Sequence, residues 1–355
     1  GVDGFRLDII NSIFEEVDVR KNKRLFHPYR YNLNHPDTLQ FVKDLRKIMD
    51  EFSDPERFLV GEVVGVGSKP LIKNYYGEVV SPAKTNGLHL AFHPQTMRVG
   101  FSAKAYHRLF KQLEVDYTEP YIPTLLSTNH DTFRRISRLG NDVRKAKVSA
   151  VFQLTARGIP FVYYGEEIGM IQDSIPLKSA QDPMAQKFLW IPQWVMELTK
   201  KLVCETLNRD EVRTPMQWDA SPNAGFSEEG VRTWLPVTKG YEKINVAHET
   251  SDQESLLICY KRLLRLRSEH PALNSGVFAL LNVKNAPKSL LAYERGFNLR
   301  EQSENMQCFL NFSKKSIQCQ APRALERVLF STHQDTSPIQ GTAINLAPFE
   351  AMILK

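Results

Sequence analysis

Residues 1–8 read GVDGFRLD and residues 58–62 read FLVGE. Each is a short, largely apolar run ending in a carboxylate, Asp8 or Glu62. Between them, DTLQFVKDLRKIMDEF at 37–52 places Phe41, Leu45, Ile48, Met49 and Phe52 on one helical face, with Asp37 as its cap. The same alternation continues. LHLAF at 88–92, YIPTLLSTNHD at 121–131 and IPFVYYGEE at 159–167 read as strands, the second ending in Asp131. SAKAYHRLFKQLE at 102–114 aligns Tyr106, Leu109, Phe110 and Leu113, and 143–157 reads as a helix capped by Asn141 or Asp142. Near-continuous apolar strands alternating with helices predict an α/β fold with a parallel sheet buried on both faces. Carboxylates at several strand ends fit a β/α barrel, where catalytic residues sit at the C-terminal ends of strands. A doubly wound sheet usually carries a glycine-rich phosphate turn after its first strand. GVGSKP at 65–70 lacks that spacing.

Residues 168–250 form a long, proline-bearing loop insertion containing RTPMQWD at 213–219. Ser251 to Glu254 makes a capping box. It opens a helix to Arg267 with Leu256, Tyr260, Leu263 and Leu264 inward. After Pro271 only short strands divided by turn residues follow. The predicted organisation is a barrel portion over 1–270, including the insertion at 168–250, and an all-β domain over 271–355.

Hydrophobic residues make up 42% and charged residues 24% of the 355, a composition that excludes a disordered chain. The net charge of +6 is spread among mixed-sign stretches such as KDLRK and NRDEVR. The longer basic clusters, RKNKR at 20–24 and KRLLRLR at 261–267, read as loop or solvated helix face rather than a nucleic-acid surface. The aromatic residues serve core packing in the main, with sugar stacking as the alternative for some. Cys204, Cys259, Cys308 and Cys319 form no CxxC pair and no zinc spacing, so reduced thiols and a cytoplasmic setting are expected, with no metal and no cofactor. Two disulfides are the alternative. No apolar run is long enough to span a membrane.

Cleaving a glycosidic bond requires two carboxyl groups in opposite protonation states, brought together from distant positions. Asp8, Glu62 and Asp131 are the candidates. Arg6 lies two residues before Asp8, on the same strand face, and a guanidinium there favours an ionised nucleophile. The apolar approach to Glu62 favours a retained proton. His130 beside Asp131 offers a hydrogen-bond donor for sugar hydroxyls. Each carboxylate taken alone reads equally well as a strand-end charge or a helix cap. No HxH or GxSxG spacing supports a metal site or a serine hydrolase.

GVDGFRLD, FLVGE and LSTNHD at 126–131 resemble three signature regions of the α-amylase family of glycoside hydrolases, family 13. GIPFVYYGEEIGM at 158–170, RTPMQWD, NAGF and WLPV resemble its α-glucosidase and oligo-1,6-glucosidase branch. The resemblance implies a (β/α)8 TIM barrel represented here by strands four to eight, near residues 5–8, 58–62, 88–92, 122–127 and 159–164, followed by an antiparallel β-sandwich domain. It implies Asp8 as nucleophile, Glu62 as acid/base and Asp131 as the transition-state carboxylate. Arg6, His130 and Arg213 would contact substrate, Arg213 gripping a terminal glucose; the alternative for Arg213 is a surface salt bridge with Asp210 or Glu211. The implied activity is retaining and exo-acting on oligosaccharides or disaccharides, with Ile9 after the nucleophile favouring α-1,6 linkages. Sucrose or trehalose isomerisation and glucosyl transfer are the alternatives within the family, and a non-catalytic glucosidase-like subunit is the alternative outside it. The family's first three strands are not found, and an inactive, N-terminally truncated chain is the expectation. No nucleic-acid or membrane partner is expected.

Overall fold

The computed structural model describes residues 1–14, 33–64, 69–299, 302–333 and 341–355. The basic stretch at 20–24, His27, most of the loop leading to residue 36, and residues 65–68 of GVGSKP lie outside the described residues. Two compact units divide the chain: 1–98 with 108–125, and 99–107 with 126–355.

In the first unit, β1 (Gly4–Leu7) pairs parallel with β2 (Phe58–Gly61), and β2 pairs parallel with β5 (Leu90–Ala91). A small hairpin of β3 (Val79–Ser81) and β4 (Lys84–Thr85) precedes β5. Leu59, Val60, Ile72, Tyr75, Tyr76 and Leu88 are buried here. β1 departs from the expectation of a strand buried on both faces. It lies at the edge of its sheet, and Phe5 is 49% exposed. Edge strands bury less because only one flank is covered.

The helix Pro36–Asp50 starts one residue earlier than the sequence suggests. Pro36 takes the first position, where a missing N–H costs nothing, and His35 accepts from the Asp37 amide at 3.3 Å. Its buried face is Thr38, Val42, Arg46 and Met49, while Ile48 and Phe52 face solvent. Arg46 turns inward because it donates to the Gly87 carbonyl at 2.8 Å and to Asp50 at 2.9 Å. The helix Ala103–Asp116 buries Tyr106, Leu109, Phe110 and Leu113, as its 3.6-residue pattern predicts.

His89 carries a pH dependence. Its Nδ1 accepts from the Leu59 amide of β2 at 3.0 Å. Burial pushes its imidazole down to about 4, and the Arg46 guanidinium adds to the shift. An unfolded histidine titrates near ~6.5, so between about 4 and ~6.5 the unfolded chain binds more protons. The stabilisation is therefore complete above pH ~6.5 and is lost as pH falls towards about 4. It is worth roughly 2 kcal/mol, less than the full shift because the ring is partly open to solvent. Urea denaturation from pH 7.5 to 4.5 should show this slope, and His89→Gln, which keeps an acceptor for Leu59, should reduce it. Identical slopes in both proteins would refute the assignment.

β6 (Thr124–Leu126) and β7 (Ile159–Phe161) complete the predicted barrel strands. Asp142 caps the helix Val143–Thr155 by accepting from the Arg144 amide. Residues 168–250 contain the helix Gln193–Val203 and several single turns rather than bare loop. They also hold all four tryptophans, each at least half exposed, and not the core places that most aromatic residues were expected to take.

The next helix is Leu256–Glu269. Its cap is Ser255, accepting from the Ile258 amide, and not Ser251. Glu249 rather than Glu254 receives the Leu256 and Leu257 amides. Leu264 is exposed, and Arg267 is buried in its place.

The C-terminal strands are β8 (Val277–Leu280), β9 (Leu290–Leu299), β10 (Gln302–Asn311), β11 (Ile317–Gln320), β12 (Val328–Ser331), β13 (Ala343–Leu346) and β14 (Ala351–Leu354). Five form an antiparallel sheet in the order β12-β14-β10-β9-β8, and β11 pairs with β13. Ala292, Phe309, Met352 and Leu354 from the larger sheet pack with Ile317, Ile344 and Leu346 from the smaller. That is a sandwich core, as the alternating pattern of the tail requires. The fold is thus part of a (β/α)8 barrel followed by an antiparallel β domain. All four cysteines are free thiols, with Cys259 and Cys308 buried.

Two buried arginines serve carbonyls at the end of the helix Val143–Thr155, Arg267 from the helix Leu256–Glu269 and Arg295 from the sandwich. Arg267 donates to the carbonyls of Leu154 (2.9 Å), Gly158 (2.8 Å) and Leu273 (2.8 Å). Arg295 on β9 donates to those of Thr155 (2.5 Å), Gly276 (2.7 Å) and Leu273 (3.1 Å). The last carbonyls of a helix have no intrahelical partner, and a planar fork of donors satisfies several together. Burial pulls the Arg295 guanidinium down to about 10, with the charge on Arg267 adding to it.

Candidate active site

In the first unit the site is built by strand register. Arg6 lies opposite Val60 and Leu7 opposite Gly61, so Asp8 and Glu62 leave neighbouring parallel strands at the same level. The ladder runs on past the strand ends: the Glu62 amide donates to Leu7 (2.9 Å) and the Ile10 amide to Glu62 (2.9 Å). Alternation puts Arg6 and Asp8 on one face. Arg6 donates through Nη1 to Asp8 and through Nη2 to Glu62 at 2.7 Å. One guanidinium thus spans the two carboxylates. Asp8 is 71% exposed and Glu62 14%.

Glycines make this register possible. A Cβ on Gly4 would sit 2.1 Å from the Phe58 carbonyl oxygen, and one on Gly61 would meet the buried Leu88 and Ile10 side chains. Ile9 holds φ 36°, ψ 49° directly after Asp8. A β-branched residue in the left-handed region is strained, and such strain clusters at functional sites.

Asn11 is a member of this site that sequence reasoning missed. It is buried, donates to the Val64 carbonyl at 2.7 Å and accepts from the Val64 amide at 3.1 Å. It thereby ties the turn after Asp8 to the segment after Glu62. The available signal was an amide side chain within the otherwise largely apolar run IINSIF.

In the second unit, Asp131 lies on a turn five residues beyond β6 rather than at a strand end. Its Oδ1 accepts from Arg213 Nη2 at 2.7 Å and from Arg209 Nη1 at 3.2 Å. His130 Nε2 lies 3.4 Å from Asp131 Oδ2, and Arg213 Nε donates to the His130 carbonyl at 3.0 Å. Arg213 is therefore not in a side-chain pair with Asp210 or Glu211. Asp210 accepts from the Gln181 and Asp182 amides, and Glu211 pairs with Lys200. Glu166, five residues beyond β7, accepts from Ser127 and from the Tyr260 hydroxyl at 3.0 Å. Burial raises its carboxyl above the ordinary range against those two bonds. It anchors the root of the turn that carries His130 and Asp131.

The structure thus gathers Arg6, Asp8 and Glu62 in one group, and His130, Asp131 and Arg213 in another, each within its own unit. Arg209, Asp182 and Glu166 were not predicted. Among the described residues no helix is long and apolar enough to cross a membrane.

The family described as "Alpha amylase, catalytic domain" matches residues 1–276. The chain is 27% identical to an oligo-1,6-glucosidase of Parageobacillus thermoglucosidasius, aligning over 100% of its own length and 65% of that protein. It is 30% identical to an α-glucosidase of Pediococcus pentosaceus, over 79% of the chain and 53% of that protein. The solved isomaltulose synthase of Klebsiella sp. LX3 superposes with a TM-score of 0.81 at 24% identity, covering 100% of this chain and 65% of that one. The chain therefore spans about two-thirds or less of each of these relatives.

Proposed function

The chain belongs to the α-amylase catalytic-domain family, and on that premise we propose that it carries the catalytic residues of a retaining, exo-acting α-glucosidase. The observation that carries this reading is the pair Asp8 and Glu62, level on adjacent strands and held by one guanidinium. Retention needs two carboxyl groups about 5–5.5 Å apart, and level positions on parallel strands about 4.8 Å apart suit a separation of that order.

Asp8 attacks the anomeric carbon while Glu62 donates its proton to the departing glycosidic oxygen. The C–O bond to the leaving sugar breaks as the ester to Asp8 forms. Glu62, now ionised, takes a proton from water, and the hydroxide displaces Asp8 to give glucose of the original configuration. Asp131 stabilises the positive charge that develops on the ring. Arg6 holds Asp8, and His130 and Arg213 bind sugar hydroxyls. The greater exposure of Asp8 suits a group that a sugar must reach.

The test is proton NMR of the first product that the whole protein forms from maltose and isomaltose. α-Glucose should appear before its β anomer. Initial β-glucose, or no glucose from either sugar, would reject the reading. Rearranged disaccharide from sucrose or trehalose in place of glucose would transfer it to an isomerase.

A further inference from the structure

We propose that Arg209 is the positioning residue that fixes Asp131, and that Asp182 acts on Asp131 through it. The inference rests on the proposed role of Asp131 and extends it to two residues outside the expected set. Two arginines meet one carboxylate oxygen, and they are held unequally. Arg209 donates to Asp182 through Nε at 2.9 Å and Nη2 at 2.7 Å, and its backbone amide donates to the same carboxylate at 3.0 Å. The Asp182 side chain has no exposed surface. It also accepts from the Met184 amide, so it is fixed to its own helical turn. Burial alone would raise the Asp182 carboxyl, but the bonds from Arg209 outweigh it and take it down to about 2. With that fork occupied, Nη1 is left directed at Asp131.

Among the described residues Arg213 has no comparable anchor. Its guanidinium contacts are Asp131 itself and the His130 carbonyl, both part of the turn that it would help to hold. A sugar hydroxyl that draws Arg213 away leaves Asp131 still paired with Arg209. Bidentate arginine–carboxylate pairs are geometrically specific, and a lysine cannot reproduce them. Arg209 thus separates two tasks on one carboxylate: a fixed arginine sets its orientation, and a releasable one answers to substrate.

The test uses the full chain with aspartate labelled at the side-chain carboxyl carbon, read by carbon-13 NMR at pH 7. Asp131→Asn identifies the Asp131 signal by its loss. Arg209→Gln should shift that signal, and Asp182→Asn should shift it in the same direction. The double variant should move it no further than Arg209→Gln alone, because the two act in series. Arg209→Lys should recover only part of the change. Circular dichroism checks folding, and Asp182→Asn, which leaves every arginine in place, carries the test if Arg209→Gln does not fold. An unmoved Asp131 signal in either folded variant, or additive shifts in the double, overturns the assignment. The readout needs no turnover, so failure of the whole protein to hydrolyse any glucoside would sink the glucosidase reading without touching this one.

Discussion

Asp8→Asn is expected to lower glucoside hydrolysis by the whole protein by on the order of 10⁴-fold, with little change in KM. Asparagine matches aspartate in size and can still accept from Arg6, so the β1–β2 register and the fold should survive. It cannot form the ester. Removing the side chain makes the test sharper. In Asp8→Gly, azide occupies the vacated space, attacks an α-glucoside from the far face and yields the β-glucosyl azide. In Glu62→Ala, Asp8 still forms the glycosyl ester, azide displaces it and the product is the α-glucosyl azide. Opposite anomers from the two variants would assign both roles in one experiment. Retention of more than about a tenth of the rate in Asp8→Asn would dismiss Asp8 as nucleophile, because loss of a nucleophile costs far more.

The second large effect concerns stability. Arg295→Leu is expected to destabilise the protein by about 3 kcal/mol or more, seen as a fall in the urea midpoint. Leucine fills the apolar part of the site and removes a buried charge. It leaves the carbonyls of Thr155, Gly276 and Leu273 without their donor from Arg295. Arg267 already serves Leu154, Gly158 and Leu273, so it has no fork to spare. Arg295→Lys keeps the charge but not the planar fork and should recover less than half of the loss. Wild-type stability in Arg295→Leu would show that these carbonyls find other partners.

The legible parts of this protein are those whose signal is local. Five barrel strands, the helices 103–116 and 143–155 and the strands of the tail follow from apolar runs and spacing within single elements. Asp8 and Glu62 stand out because a strand's last residue is visible in the strand itself. Cap assignments failed where two nearby residues offer the same chemistry. Ser251 opens the capping box that the sequence shows, yet Ser255 caps the helix and Glu249 takes the first amides. Arg267 sits in a basic stretch that reads as solvated, since nothing local announces carbonyls 109 and 113 positions away. Arg209 and Asp131, 78 positions apart, meet only through the fold. RTPMQWD drew attention to Arg213, while the arginine just upstream lay in a segment read only as mixed charge.

The register of β1 on β2 has a consequence for stereochemistry. In the proposed reaction, configuration is kept or inverted according to how far apart two carboxyl groups stand. Here that spacing is not set chiefly by side-chain rotamers. It is inherited from backbone hydrogen bonds between Leu7, Glu62 and Ile10. Sliding one strand by a single residue would turn one of the two carboxylates to the opposite face of the sheet. The handedness of the product is thus written into a peptide ladder, and the two glycines that let the strands meet guard it as firmly as the acids that perform it.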